Sequence, residues 1–212
     1  MTQDTARLDA VMTAAPVIPV LVVEEAAQAV PMARALVRGG LPAIEITLRT
    51  PAALDAIRAV AAEVEGAIPG AGTVLDATQY DAAAEAGARF VVSPGATERL
   101  LAAAGGNVPL LPGAATASEV MRLLEVGYTR LKLFPAEAAG GVALLKSLAA
   151  PLPQARFCPT GGITAATAPA YLALPNVACV GGSWIATPQA IASGDWDGIA
   201  ARAAAAAALG AR

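Results

Sequence analysis

Lys132, Glu45, Arg49 and Thr73 are the residues whose types and spacing could do chemistry in this chain. Of fourteen basic residues only Lys132 and Lys146 are lysines. Lys132 lies inside Arg130-Leu131-Lys132-Leu133-Phe134-Pro135, which reads as a short strand with the leucines on one face and the lysine on the other. A strand in an α/β protein is usually covered on both faces, so this ammonium would lose much of its water. The other twelve basic residues are Arg, which holds its charge but cannot shed a proton and attack a carbonyl, as a desolvated lysine can. Lys132 is therefore the candidate Schiff-base nucleophile. In residues 43–47, alternation sends Ile44 and Ile46 toward covering helices and Ala43, Glu45 and Thr47 inward. Of seventeen acidic residues, Glu45 alone sits inside an apolar strand. The same parity turns Arg130, Lys132 and Phe134 inward. An inward Glu and Lys form either an ion pair or an acid–base and nucleophile pair. Buried ion pairs are weak stabilisers, which favours the chemical reading.

Strand ends supply further candidates. Arg49 follows the Glu45 strand, and Thr73 follows Gly70-Ala71-Gly72. A guanidinium and a hydroxyl there could hold a small carboxylate, although each has an ordinary reading as a solvated loop charge or a helix cap. Two glycine clusters, Thr160-Gly161-Gly162 and Gly181-Gly182-Ser183, close the last two expected strands. One Gly-Gly is more often a tight turn. Two of them at the seventh and eighth strand ends suit a phosphate cradle, because bare backbone N–H groups approach an anion closely. A phosphorylated substrate is the expectation.

The elements that must position these residues alternate along the chain. Strands are predicted at 17–23, 43–47, 67–72, 89–93, 108–112, 128–134, 156–159 and 177–181. A leading helix is predicted at 5–14, and others at 24–38, 51–64, 77–86, 98–104, 117–126, 142–149, 165–172 and 196–209. Thr50-Pro51 and Thr116-Ala117-Ser118-Glu119 read as helix starts, the second with capping-box spacing. About eight near-equal strand–helix units with short links fit a (β/α)8 TIM barrel with an extra N-terminal helix better than an open doubly wound sheet. Residues 1–212 read as a single domain, without a linker or second module.

Composition narrows the function. A net charge of −3 offers no basic field for nucleic acid. The 56% hydrophobic content is largely Ala, and no apolar run reaches the roughly 18–20 residues that span a bilayer. Asp4 and Arg7 interrupt the first residues, so no signal peptide is expected and the cytoplasm is the expected location. Cys158 and Cys179 lie in apolar segments; a disulfide between neighbouring strands is geometrically conceivable, but buried free thiols are the better reading. There is no His, which removes the commonest general base and metal ligand and every Ser-His or Cys-His pair.

Those residues fall in blocks that together resemble a known family. They are Val17-Ile18-Pro19-Val20, Glu45-Ile46-Thr47-Leu48-Arg49-Thr50, Gly70-Ala71-Gly72-Thr73-Val74, Ser93-Pro94-Gly95, Pro112-Gly113, Lys132-Leu133-Phe134-Pro135-Ala136-Glu137, Phe157-Cys158-Pro159-Thr160-Gly161-Gly162-Ile163 and Gly181-Gly182-Ser183-Trp184. The chain resembles the 2-keto-3-deoxy-6-phosphogluconate (KDPG) aldolases, class I aldolases of the Entner–Doudoroff pathway. The resemblance implies a (β/α)8 barrel, usually a homotrimer, with neither metal nor cofactor. It implies that Lys132 forms the imine and Glu45 moves protons, while Arg49 and Thr73 hold the pyruvate carboxylate. Gly161, Gly162, Gly182 and Ser183 would bind phosphate, Thr160 would set the stereochemical choice at the substrate hydroxyl, and Pro94 and Phe134 would line the pocket.

Related enzymes cleave the 6-phosphogalactonate epimer or 4-hydroxy-2-oxoglutarate. The galactonate pattern has Arg at the end of the first strand, Asn in place of Arg49 and Val in place of Thr160. This chain has Val22-Val23, Arg49 and Thr160, which favours the gluconate epimer and leaves side activity on hydroxyoxoglutarate open. Two rivals need no imine: a phosphate-binding barrel isomerase or epimerase with Glu45 as enolising base, and an inactive barrel that only binds a phosphorylated ligand.

Overall fold

A computed structural model describes residues 3–105 and 108–210. Its strands are β1 (Val17–Leu21), β2 (Ala43–Thr47), β3 (Ile68–Gly72), β4 (Phe90–Val92), β5 (Leu110–Leu111), β6 (Gly113–Ala114), β7 (Arg130–Leu133), β8 (Arg156–Pro159) and β9 (Val180–Gly182). Its helices are α1 (Thr5–Thr13), α2 (Ala29–Arg38), α3 (Ala53–Glu63), α4 (Ala77–Glu85), α5 (Glu98–Ala103), α6 (Ala117–Glu125), α7 (Ala136–Ala139), α8 (Gly141–Ala149), α9 (Ala168–Leu172), α10 (Pro188–Ala192) and α11 (Trp196–Ala207). The fold is α/β, with a curled, all-parallel six-stranded sheet in the order β5-β4-β3-β2-β1-β9 forming a half-barrel, and a three-stranded parallel sheet β6-β7-β8.

Two apolar clusters follow from strand parity. Ile44, Ile46, Leu131, Leu133 and Phe157 face outward and pack with the helices. Ile18, Ala43, Phe90, Val92, Leu111, Cys158 and Cys179 form an inner cluster, closed at the amino ends of the strands by Leu8, Val11 and Met12 of α1. Burying Leu8 or Met12 contributes about 2 kcal/mol each, more than the exposed Arg7–Asp4 pair on the same helix can give. Apolar docking therefore holds α1 in place. Arg130, turned inward as its parity predicts, forks its guanidinium onto Asp9 of α1 through bonds of 2.7 and 2.5 Å.

Several boundaries differ from expectation, each for a local reason. The fifth strand divides at Pro112, so that β5 pairs with β4 and β6 pairs with β7. The opening left between Leu110 and Arg130 is filled by the side chain of Gln3. Its Nε2 donates to Leu110 O at 3.1 Å and to Arg130 O at 2.7 Å, and its Oε1 accepts from the N–H groups of Thr129 and Arg130. One side-chain amide thus replaces a missing stretch of strand. Truncating it strands buried backbone groups, so Gln3→Ala is expected to cost about 2–4 kcal/mol in a urea titration; a loss under about 0.5 kcal/mol would show the clamp to be dispensable.

Thr50-Pro51 does not start a helix. The Thr50 hydroxyl donates to Val23 O at 2.5 Å, and α3 begins only at Ala53. The helix expected from residue 24 begins at Ala29 after a 3-10 turn, Ala26–Gln28, and the last strand begins at Val180 rather than 177. The short helices α7 and α10 are additions that the sequence pattern does not announce. Thr116 does form the expected capping box, and the Glu119 carboxyl is drawn below its ordinary pKa first by the Ala115 N–H and then, against its own burial, by the Thr116 hydroxyl and N–H.

Candidate active site

Period-two alternation brings Lys132 of β7 and Glu45 of β2 to the same interior point. Their side chains are 6% and 4% exposed, and Lys132 Nζ lies 3.1 Å from Glu45 Oε1 and 3.4 Å from Oε2. Space for the carboxylate comes from β3, where Gly72 pairs with Thr47: a Cβ on Gly72 would overlap Glu45 Oε1. Gly70 is needed for the same kind of reason, because the Phe90 ring occupies the place of its Cβ. The glycines of this strand thus make room for side chains. Lys132 Nζ also stands 5.3 Å from the centroid of the Phe134 ring, within cation–π range.

Arg49 and Thr73 meet just past the ends of β2 and β3. Arg49 is exposed and its Nε donates to Thr73 Oγ1 at 3.0 Å. Thr73 has φ +57°, alone among the non-glycine described residues in the left-handed region. A β-branched residue resists that conformation, at a cost of about 1–3 kcal/mol, and such strain concentrates at functional sites. No hydrogen bond or ion pair joins this pair to Lys132, but Glu45 and Arg49 leave the same strand, and Thr73 follows the glycine that admits Glu45.

The glycine clusters sit beyond β8 and at β9. Gly161 and Gly162 have φ of +108° and +80°, backbone that glycine adopts without strain. Gly181 and Gly182 have a packing reason as well. Thr160 Oγ1 would overlap a Cβ on Gly181, and the Trp184 ring fills the position of a Cβ on Gly182. Ser183 is exposed and Thr160 is buried. Pro94 follows β4, its carbonyl oxygen pressed against Gly113, the ladder neighbour of Lys132.

Thr160 also lies beside Cys158, which is the ladder partner of Lys132. Cys158 and Cys179 are buried free thiols, as expected, and they touch: the Cys179 thiol is pushed well above its ordinary pKa, first by its bond to Cys158 and then by burial. Their place on neighbouring strands is conceivable from the sequence, whereas nothing in the sequence signals the bond from Tyr171 to Glu137. A cavity of about 670 Å3 lies between Thr13–Pro16 and Leu209 at the amino ends of the strands, and Lys132 is not among the residues that line it. Among the described residues, no cluster of three or more Cys, Asp and Glu is arranged to hold a metal ion, and no helix is long and apolar enough to cross a membrane.

A buried amine in hydrogen-bond contact with a buried carboxylate can exchange a proton with it, and the neutral amine can add to a carbonyl. In an α/β fold of this kind, that is the equipment of imine-forming carbon–carbon lyases. The family model for KDPG and KHG aldolase matches residues 8–202. The chain is 53% identical over 192 residues to the KHG/KDPG aldolase of Escherichia coli (strain K12), covering 90% of each. It is 55% identical over 179 residues to the 2-dehydro-3-deoxy-phosphogluconate aldolase of Zymomonas mobilis, covering 84% of this chain and 86% of that one. Among solved structures, KDPG aldolase from Legionella pneumophila, with pyruvate captured at low pH as a covalent carbinolamine intermediate, superimposes with a TM-score of 0.92 at 46% identity, covering 94% and 97% of the two chains. The chain belongs to the KDPG and KHG aldolase family and is a carbon–carbon lyase.

Proposed function

We propose that the chain cleaves 2-keto-3-deoxy-6-phosphogluconate to pyruvate and D-glyceraldehyde 3-phosphate through an imine on Lys132. The observation that carries this reading is the buried 3.1 Å contact between Lys132 Nζ and Glu45. Lys132 passes a proton to Glu45 and adds to the C2 ketone, and loss of water gives a protonated imine. That cation draws in the electrons of the C3–C4 bond as Glu45 takes the proton from the C4 hydroxyl. Glyceraldehyde 3-phosphate leaves, Glu45 returns a proton to the enamine carbon, and hydrolysis of the imine frees pyruvate and the amine. Arg49 and Thr73 hold the keto-acid carboxylate, with Thr73 oriented by the Arg49 bond. Gly161, Gly162, Gly182 and Ser183 take the phosphate, Thr160 faces the C4 hydroxyl, and Pro94 and Phe134 line the pocket.

The gluconate epimer is favoured by Arg49 and Thr160 and by the names of the relatives. Cleavage of 4-hydroxy-2-oxoglutarate to pyruvate and glyoxylate is proposed as a second activity, supported by the double name of the Escherichia coli relative. The two sheets are proposed to be arcs of one closed (β/α)8 barrel. Supporting this are the division of one strand at Pro112, whose halves pair to either side, and the parallel bridge from Thr160 to Gly181. A single-domain subunit, a homotrimeric assembly and a cytoplasmic location are proposed from the family resemblance.

Borohydride reduction in the presence of pyruvate tests the central claim. Mass spectrometry is expected to find one pyruvate-derived adduct, on buried Lys132 and not on exposed Lys146. Cleavage of KDPG with no adduct on Lys132 would remove the covalent mechanism and leave a cleavage that runs without an imine, with Glu45 as its base.

A further inference from the structure

The loop that carries Gly161 and Gly162 rests on residues to which the reaction above gives no part. Glu137, in the first turn of α7, donates its N–H to Gly161 O at 3.1 Å, and Ala136 donates to Thr160 O at 2.8 Å. The aliphatic stem of Glu137 lies against Gly162 so closely that a Cβ there would stand 2.7 Å from Cγ. The carboxylate is fixed in turn by Tyr171, whose hydroxyl donates to Oε1 at 2.6 Å. Tyr171 is among the largest fully buried side chains and comes from α9, the helix that follows this loop. Its hydroxyl also abuts Gly141 at the start of α8, where a Cβ would come within 2.9 Å. Burial first, and the bond to Glu137 second, raise the Tyr171 phenol above its ordinary pKa, so it remains a hydrogen-bond donor at any working pH.

A carboxylate next to an anion cradle is an electrostatic disadvantage, so charge attraction does not account for Glu137 at this place. Geometry does. We propose that the Glu137–Tyr171 pair is a positioning device that holds the Gly161–Gly162 backbone in its left-handed conformation to receive the distal phosphate of the substrate. The proposal rests on the phosphate-binding reading of those glycines. Neither residue touches the reacting atoms; both act through the loop.

Steady-state kinetics with KDPG and with 2-keto-3-deoxygluconate, the same keto acid without its phosphate, separates this role from a general structural one. Tyr171→Phe and Glu137→Ala are each expected to raise KM for the phosphorylated substrate about tenfold. They should leave kcat within about twofold, and should change neither kcat/KM for the unphosphorylated acid nor borohydride trapping of pyruvate. Glu137→Gln keeps an acceptor for the tyrosine and should recover most of the loss. Equal losses on both substrates would overturn the positioning role. Gly162→Ala separates the cradle from its buttress. If it selectively raises KM for KDPG while Tyr171→Phe is silent, the cradle stands and the buttress falls. If Gly162→Ala has no selective effect, the phosphate assignment falls and the buttress with it.

Discussion

Lys132→Arg should leave a folded chain with turnover lowered by at least about 10⁴-fold and no adduct after borohydride and pyruvate. What the substitution preserves makes the result decisive. Arginine keeps a positive charge opposite Glu45, which lies 3.1 Å from Lys132 Nζ, so no buried carboxylate is left unpaired, a loss that costs about 3–5 kcal/mol when one partner of a buried pair is removed. Arginine does not, however, give up its proton to become a nucleophile. Arg49, Thr73, the glycine loops and the Glu45 side chain all remain. A collapse in rate without a collapse in structure, read by circular dichroism beside the kinetics, therefore isolates the covalent step. An arginine variant that still cleaves KDPG at a comparable rate would sink the imine mechanism.

Glu45→Gln probes the other half of the pair, and the expected loss is smaller and of a different kind. A positioned acid–base group is worth about 10²–10⁴ in rate, and the amide keeps the size and one acceptor oxygen while losing the ability to carry a proton. Glutamine also retains an oxygen that can accept from Lys132 Nζ, so the amine keeps its place for attack. Turnover should therefore fall by about 10²–10⁴-fold while borohydride trapping of pyruvate survives in part. That split between trapping and turnover marks proton transfer and distinguishes it from loss of substrate binding. Wild-type turnover in the glutamine variant would remove Glu45 from the mechanism.

Both residues are legible in the sequence because strand alternation is a local signal. Leu131 and Leu133 on one face, and Ile44 and Ile46 on one face, leave Lys132 and Glu45 no direction but inward. The capping box at Thr116 is legible for the same reason, since its bonds close within three residues. Thr50-Pro51 misleads because its composition suits a helix start, while the hydroxyl has a better acceptor in Val23 O on the neighbouring strand. No pattern near Thr50 reports that acceptor.

The glycines divide along the same line. Their positions at strand ends suggest a cradle, and the left-handed backbone at Gly161 and Gly162 accords with one. The need for glycine at Gly72, Gly181 and Gly182 comes from Glu45, Thr160 and Trp184, whose side chains occupy the space a Cβ would take. A glycine that makes room for a neighbour and a glycine that makes room for a ligand are indistinguishable as letters.

Local pattern alone determined the alternation of the main strands and helices, the face each strand buries, the two inward ionisable side chains and the absence of imidazole chemistry. Only the tertiary structure decided that those two side chains, 87 residues apart, stand in contact. It likewise decided that Gln3 bridges a split strand, that Thr73 takes a strained backbone and that Tyr171 grips Glu137. Secondary structure and facing are written in periods of two and about 3.6 residues, which any short window of sequence contains. Contacts between distant segments depend on register and on how the sheet curls, and no window holds both partners.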